Sequence, residues 1–316
     1  MTGDQVTCYR AQDHAEPVPE ARARDALNYA VWGGELSRDQ FLAREARLWR
    51  HPFSQRGLRL WLLRRGDEVL ASCETYAISC QAGEQSGVAH GIASVFVEQR
   101  LRGQGHASAL LRGVNARLHS EGALCTYLMS EVEPTIYARL GFVARPLRCQ
   151  RFSARHGAPP AAVDWLALDS LDPSLLPAWG DALSLRLDPD FVRWHIERGW
   201  FHADALGRPR QRILGPRVGN SWAICADEPG ESLLRVLALR SDGEPQALAQ
   251  VIAAARWLAA QQGLSTVEIW QNQRSQSLPF PVAPASEALD VIPMLCPLQP
   301  GMAARDWQSC ERGHWI

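Results

Sequence analysis

The chain has 316 residues, with 33 basic side chains against 34 acidic ones and a formal charge of −1; it contains no lysine, so every one of the 33 is arginine. That balance leaves no electrostatic footprint for nucleic acid or an anionic membrane surface, and 46% hydrophobic with 21% charged residues excludes extensive disorder. At about 100–200 residues per domain, the length fits two domains.

The opening stretch MTGDQVTCYRAQDHAEP is polar, with acids and prolines, and lacks the basic start and apolar run of a signal peptide. No apolar run approaches the roughly 20 residues that span a bilayer. The cysteines, at positions 8, 73, 80, 125, 149, 225, 296 and 310, form no CxxC pair and have no histidine pair to complete a zinc site. They read as reduced thiols, so a cytoplasmic protein without a metal is expected.

Ser37 and Gln40 have capping-box spacing, and FLAREARLW places Phe41, Leu42, Leu48 and Trp49 among charges, which predicts a helix ended by His51-Pro52. Two strand-length apolar runs follow in LRLWLLRRGDEVLASCETYAI, joined at Arg65-Gly66-Asp67-Glu68 as a hairpin. A third strand covers Gly87 to Val97. From Gly103 to Gly122, Ala107, Leu110, Leu111, Val114 and Leu118 recur at helical spacing. The strand LCTYLMSEV, a short helix and LGFVA complete an α/β unit.

A turn-rich segment from Ser153 to Pro177, with Gly157, Pro159, Pro160 and Pro173, marks a boundary. It divides the chain into domains 1–152 and 153–316. Beyond it WAICA, LLRVLALR, the helical run QALAQVIAAARWLAAQQG and STVEIWQ repeat the earlier element order, which suggests an internal structural duplication. Trp194, Trp200, Trp222, Trp257 and Trp270 of this half read as core and interdomain packing.

The segment with chemical content is SVFVEQRLRGQGHASALL, residues 94–111. A strand ends at Val97 or Glu98, a loop carries Arg100, Arg102, Gly103, Gln104 and Gly105, and a helix begins with His106, Ala107 and Ser108. Glycines let the backbone turn its N–H groups toward a ligand, and the helix N-terminus adds about half a positive charge. The result is an anion cradle suited to a pyrophosphate.

With SEVEPTIYARLGFV at residues 130–143, this segment resembles the GNAT superfamily of N-acetyltransferases. Arg100-x-x-Gly103-x-Gly105 matches the superfamily pattern Arg/Gln-x-x-Gly-x-Gly/Ala, which opens the helix that holds the acetyl-CoA pyrophosphate, and Tyr137 precedes Leu140-Gly141-Phe142. The phrases LSRDQFLAREARL, SCETY, HGIASVF and EALDVIPML are similar to the fungal lysine N6-acetyltransferases, whose acetyltransferase domain is followed by a degenerate second one. This similarity touches both ends of the chain and is patchy over residues 150–220. It implies an α/β (α+β) GNAT fold, a mixed central sheet flanked by helices, with a second GNAT-like domain behind it. It also implies acetyl-CoA as co-substrate and a small-molecule primary amine as acceptor, a free amino acid such as lysine at N6. Backbone groups of Val95, Phe96 and Val97 would hold the pantetheine and thioester, and Tyr137 would protonate the departing thiolate.

A lysine amine has a pKa of about 10.4, so its neutral form at pH 7 costs about 4.6 kcal/mol; a base or a desolvating pocket has to offset that. Three residues are candidates for the base. Glu74 sits in an apolar strand, where a carboxylate needs a partner or a purpose; it could equally be paired with an arginine. Glu131 could act through water or cap the following turn. His90 has a suitable titration range but could be a structural strand histidine, just as Tyr137 could be packing alone.

In the second repeat the equivalent loop reads SDGEPQ, where Asp242 and Glu244 would repel a pyrophosphate. The second domain is therefore expected to wall the acceptor pocket without binding acetyl-CoA. The alternatives are acetylation of a protein or peptide, a polyamine or an aminoglycoside, and, in another class, a non-catalytic acyl-CoA-binding regulatory protein. Oligomeric state has no signature in the sequence. The lysine vacancy fits compositional drift; in an acetyltransferase it would also remove ordinary targets of self-acetylation.

Overall fold

The computed structural model describes residues 3–145, 147–171, 176, 183–271, 286–287, 291–304, 307 and 311–316. Cys310, Pro173, Pro177 and positions 288–290 of the EALDVIPML phrase lie outside the described residues. Strand β1 (Gln5–Arg10) leads through helices α1 (Pro19–Trp32), α2 (Arg38–Trp49) and α3 (Pro52–Gly57) to strands β2 (Leu58–Arg65), β3 (Glu68–Ala82) and β4 (Gln85–Phe96). Helix α4 (His106–Ser120), strand β5 (Cys125–Ser130), helix α5 (Thr135–Ala138) and strands β6 (Val143–Ala144) and β7 (Arg148–Ser153) follow.

The second half carries β8 (Asp164–Ala167), β9 (Leu183–Leu185), α6 (Pro189–Ala205), β10 (Ile213–Val218), β11 (Ser221–Glu228) and β12 (Leu233–Arg240). After these come α7 (Pro245–Gln261), β13 (Thr266–Gln271), β14 (Ser286–Glu287) and β15 (Ile292–Pro297).

Local chemistry accounts for the elements that place the site. Ser37 Oγ accepts from the Gln40 N–H at 3.3 Å while the Ser37 N–H donates to Gln40 Oε1 at 2.8 Å, a reciprocal cap that starts α2. Pro52, expected only to stop that helix, opens α3 at once, as proline at a first helical position can. The β2–β3 hairpin turns at Gly66, whose φ of +61° suits glycine.

The strands form two mixed sheets, in the orders β1-β2-β3-β4-β5-β15-β6, with β9 alongside β3, and β14-β7-β13-β12-β11-β10-β8. The sheets exchange strands. β7 leaves the first half to pair antiparallel with β13, Thr266 opposite Ser153 through Gln271 opposite Arg148. In return β15 enters the first sheet between β5 and β6, with Ile292 opposite Ser130 and Pro297 opposite Cys125. Sheet membership thus crosses residue 152 in both directions. The duplicated order is visible in the topology: β4-α4-β5 and β12-α7-β13 are both parallel pairs joined by a helix.

Leu110, Leu111, Val114 and Leu118 of α4 are fully buried against one face of the first sheet. Leu248, Val251, Ile252 and Leu258 of α7 do the same for the second. The remaining faces and helices share a core that includes Phe53, Tyr76, Phe191, Trp194, Trp222, Trp270 and Trp307. Trp257 instead packs against Trp165, with ring centroids 5.2 Å apart, and Trp200 packs at the edge of the shared core. No helix among the described residues is long and apolar enough to cross a membrane.

The exchanged strand makes a stability prediction. Leu295 is fully buried opposite Tyr127, so Leu295→Ala should cost about 2–5 kcal/mol. Because β7 and β15 lock the sheets together, denaturant melts should show one transition that shifts as a whole; two transitions, only one of them shifted, would contradict that coupling.

Candidate active site

The site begins where β4 and β5 part. Their parallel pairing covers only Ala89–Gly91 against Cys125–Tyr127, although β4 continues to Phe96 and β5 to Ser130. Each strand is held on its other edge: β4 pairs with β3 as far as Ser72 opposite Phe96, and β5 with β15 along its whole length. An irregularity between Ser72 and Glu74 in that pairing, with Ser94 at φ +51°, bends the end of β4. Backbone groups of residues 92–96 that face β5 therefore have no strand partner and are available to a ligand.

The loop beyond β4 leads into the expected cradle. Gly103 and Gly105 have φ of +76° and +81°, and no atom lies within 4 Å of where a Cβ would stand on either. Gly105 caps α4, whose first backbone bond runs from the Ala109 N–H to the Gly105 carbonyl at 2.9 Å. The N–H groups of residues 103–108 have no backbone acceptor among the described residues. This is the orphan set of a helix N-terminus, open to an anion. Arg102 Nε donates to the Val97 carbonyl at 3.0 Å and braces the loop. Gln104 reaches the Arg100 carbonyl, while Arg100 itself lies on the surface against Glu68 and Glu98. The side chain of His106 is buried at the start of the helix, Ala107 and Ser108 completing its first turn.

A cavity of about 350 Å³ opens at the divergence, walled by both halves of the chain. It brings together Glu74, Val95, Glu131 and Tyr137 from the first half, and the second half contributes Trp194, Arg198, Arg235 and Arg312. Phe96 turns away to meet Trp32 edge-on, with centroids 6.3 Å apart.

His90 is not in this cavity, and its candidacy as base is corrected. Alternation along β4 turns the side chains of His90 and Ile92 to one face, where Ile92 joins the α4 core cluster, and the cavity lining, which runs from Gly91 to Val95, omits His90. There the ring is buried, its Nδ1 has no partner, and desolvation with the nearby Arg59 holds its pKa down to about 3. It is neutral at pH 7 and does not line the cavity.

Glu74 lies opposite Ala93 of β4 and is 5% exposed. Its carboxylate is 2.8 Å from Arg24 Nη1 and accepts from the Tyr76 hydroxyl at 3.4 Å. Arg24 also holds Asp25. Both carboxyls share one guanidinium in a buried place: desolvation raises the Glu74 pKa and pushes Asp25 up to about 7, with Arg24 opposing both. Arg24 and Asp25 went unnoticed in the sequence, since their helix buries polar positions, Arg24, Asp25 and Asn28, and so has no clear apolar stripe.

Tyr137 is half-buried, its ring edge-on to Phe142 with centroids 6.0 Å apart. The Phe142 N–H bonds back to the Tyr137 carbonyl at 3.2 Å, so the Leu-Gly-Phe turn fixes the tyrosine. Burial, followed by the fields of Cys73 and Glu131, raises its pKa above the ordinary tyrosine value, and the phenol keeps its proton at neutral pH. Glu131 itself is exposed at the cavity rim.

The second crossover has no comparable cradle. Asp242 Oδ1 accepts from Ser221 Oγ at 2.9 Å and from the Glu244 N–H at 3.1 Å. α7 then opens with Pro245, which has no N–H to offer.

A family model for the acetyltransferase (GNAT) domain matches residues 22–144, and one for the LYC1 GNAT-like C-terminal domain matches residues 182–279. No curated protein sequence matches the chain. Among solved structures, a conserved protein of unknown function from Enterococcus faecalis, titled a probable N-acyltransferase, superposes with a TM-score of 0.56 at 11% identity, covering 94% of this chain and 73% of that one. A GCN5-related N-acetyltransferase from Anabaena variabilis superposes with a TM-score of 0.51 at 12% identity, covering 93% and 73%. At these identities the structures establish the shared fold.

The open cradle predicts that Gly103→Asp, which sets a carboxylate among the free N–H groups and forces an L residue into φ +76°, should weaken CoA binding at least 100-fold by calorimetry. Unchanged affinity would remove the cradle from the site. The divergent strands, the glycine-capped helix and the two matched models agree: the chain carries a GNAT acetyltransferase domain followed by a LYC1-like GNAT C-terminal domain.

Proposed function

We propose that the chain transfers an acetyl group from acetyl-CoA directly to a primary amine of a small molecule in the cytoplasm, with a free amino acid such as lysine, acetylated at N6, as acceptor. The observation that carries this reading is the single cavity in which the unpaired end of β4, Tyr137 and Glu74 meet.

The residues present fit the co-substrate. Free N–H groups of residues 103–108 would bind the pyrophosphate, and the β5-facing backbone of residues 92–96 would bind the pantetheine arm. Acetyl-CoA supplies an activated thioester and a thiolate leaving group. The chain's own part is to orient and to move protons. Glu74 Oε1 or Oε2, whose pKa burial raises against the opposing charge of Arg24, takes a proton from the ammonium of the acceptor. Tyr137 Oη holds the proton that the leaving sulfur needs. Glu131 stands at the rim, where a water could link it to the amine. A cavity of about 350 Å³ suits a small molecule, which favours a free amine over a folded protein.

Tyr137→Phe should lower kcat at least tenfold with CoA affinity unchanged, measured by thiol release and calorimetry. Full activity across pH would remove it as the acid.

The base can be tested by pH. Each unit below the amine pKa makes the neutral amine about tenfold scarcer, so the base matters most at low pH. Glu74→Gln should depress kcat/KM about 10²–10⁴-fold, with the deficit growing as pH falls. A deficit constant with pH would shift the role to Asp25 or Glu131. An acyl-CoA-binding regulator would bind CoA and release no thiol with any amine.

A further inference from the structure

Among the described residues five arginines line the cavity, and three have carboxylate partners: Arg24 on Asp25 and Glu74, Arg44 on Glu45, and Arg235 on Glu228 and Glu231. Arg312 and Arg198 are different. Neither has an ion-pair partner within 4 Å among the described residues, and Arg312 Nε and Nη1 have no hydrogen-bond partner although the side chain is 3% exposed. A buried cation without a partner is costly and is retained where something else completes it.

The surroundings of Arg312 hold it ready. Its guanidinium lies 4.2 Å from the Trp315 ring centroid and 5.5 Å from that of Trp270, so indoles cover its faces. A guanidinium held in this way presents the N–H edge that matches a carboxylate. The turn that carries it, Arg312–His314, is tied at three points. The Glu311 N–H donates to His314 Nδ1 at 3.0 Å, His314 Nε2 reaches the Leu185 carbonyl at 3.2 Å, and His195 Nε2 reaches the Gly313 carbonyl at 2.9 Å. The neighbouring carboxylates are already engaged. Glu228 and Glu231 serve Arg235, and Glu268 accepts from Arg151 at 3.0 Å and from Trp270 Nε1 at 3.2 Å.

The first half contributes carboxylates to the same cavity, Asp25 and Glu74 around Arg24. Glu45, paired with Arg44 at 2.7 Å, lines the same cavity. A cavity that holds carboxylates at the proposed base, from the first half, and guanidinium groups without ion-pair partners among the described residues, from the second half, complements a zwitterion.

We infer that Arg312, with Arg198 beside it, receives a carboxylate of the acceptor, so that the substrate is an amine that also bears a carboxylate. This rests on the acetyl-transfer reading for the amine end; the anion subsite itself stands on the unpartnered guanidinium.

Calorimetry on the full chain without acetyl-CoA tests it, using L-lysine and L-ornithine beside their decarboxylated counterparts 1,5-diaminopentane and 1,4-diaminobutane. In the unmodified chain at least one amino acid should bind 30-fold or more tightly than its diamine. Arg312→Gln and Arg198→Gln should each erase most of that preference and leave CoA affinity unchanged. Should Arg312→Gln fail to fold by thermal melt, Arg198→Gln and the ligand pairs decide. Equal affinity for amino acid and diamine, no binding of either amino acid, or a preference that survives the substitutions would overturn the subsite. Thiol release separates the two readings. Arginine-dependent amino-acid binding with no thiol released by any amine would overturn acetyl transfer and keep the subsite; equal turnover of amino acids and diamines would do the reverse.

Discussion

The early parting of β4 from β5 is the constraint on which the rest of the molecule depends. Two parallel strands that stop pairing after Gly91 and Tyr127 leave backbone groups unsatisfied inside a protein, a state that needs support on both outer edges. β3 gives that support to β4, and β15, drawn from the far end of the chain, gives it to β5. The exchange of β7 for β15 is therefore tied to the opening in the first sheet. It also fixes the second half against the opening, so that α6 and the turn at Arg312 become walls of the same cavity. The two halves have unequal tasks: the first keeps a free cradle at α4, while at α7 Asp242 and Pro245 occupy the equivalent place.

Electrostatics in the cavity follow from a composition without lysine. All five cations at its wall are guanidinium groups, which stay protonated and offer several donors in a plane. Desolvation raises the carboxyls of Glu74 and Asp25 and Arg24 restrains them.

Much of this was legible in the residues. The Ser37 cap, the hairpin at Gly66, the glycine loop before α4 and Tyr137 before Leu140-Gly141-Phe142 are local patterns, and local patterns survive folding. Helix α1 was not legible, because a helix that buries Arg24, Asp25 and Asn28 has no periodic apolar face. The strand exchange was hidden for another reason: the partners Leu295 and Tyr127 are 168 positions apart, and nothing local encodes the pairing. For His90 the residue type alone left base and structural strand histidine both open; its parity along β4, which takes it out of the cavity lining, favours the structural role. Arg312 was one arginine among 33, and only its missing partners single it out.

The measurement that bears most directly on the account is a crystal structure of the chain with CoA. The account predicts one CoA per chain, with its pyrophosphate on the N–H groups of residues 103–108. The pantetheine should lie along residues 92–96, between β4 and β5, and the sulfur should point into the cavity beside Tyr137. CoA bound at the 241–245 crossover, or on the surface with the gap between β4 and β5 left unused, would contradict it.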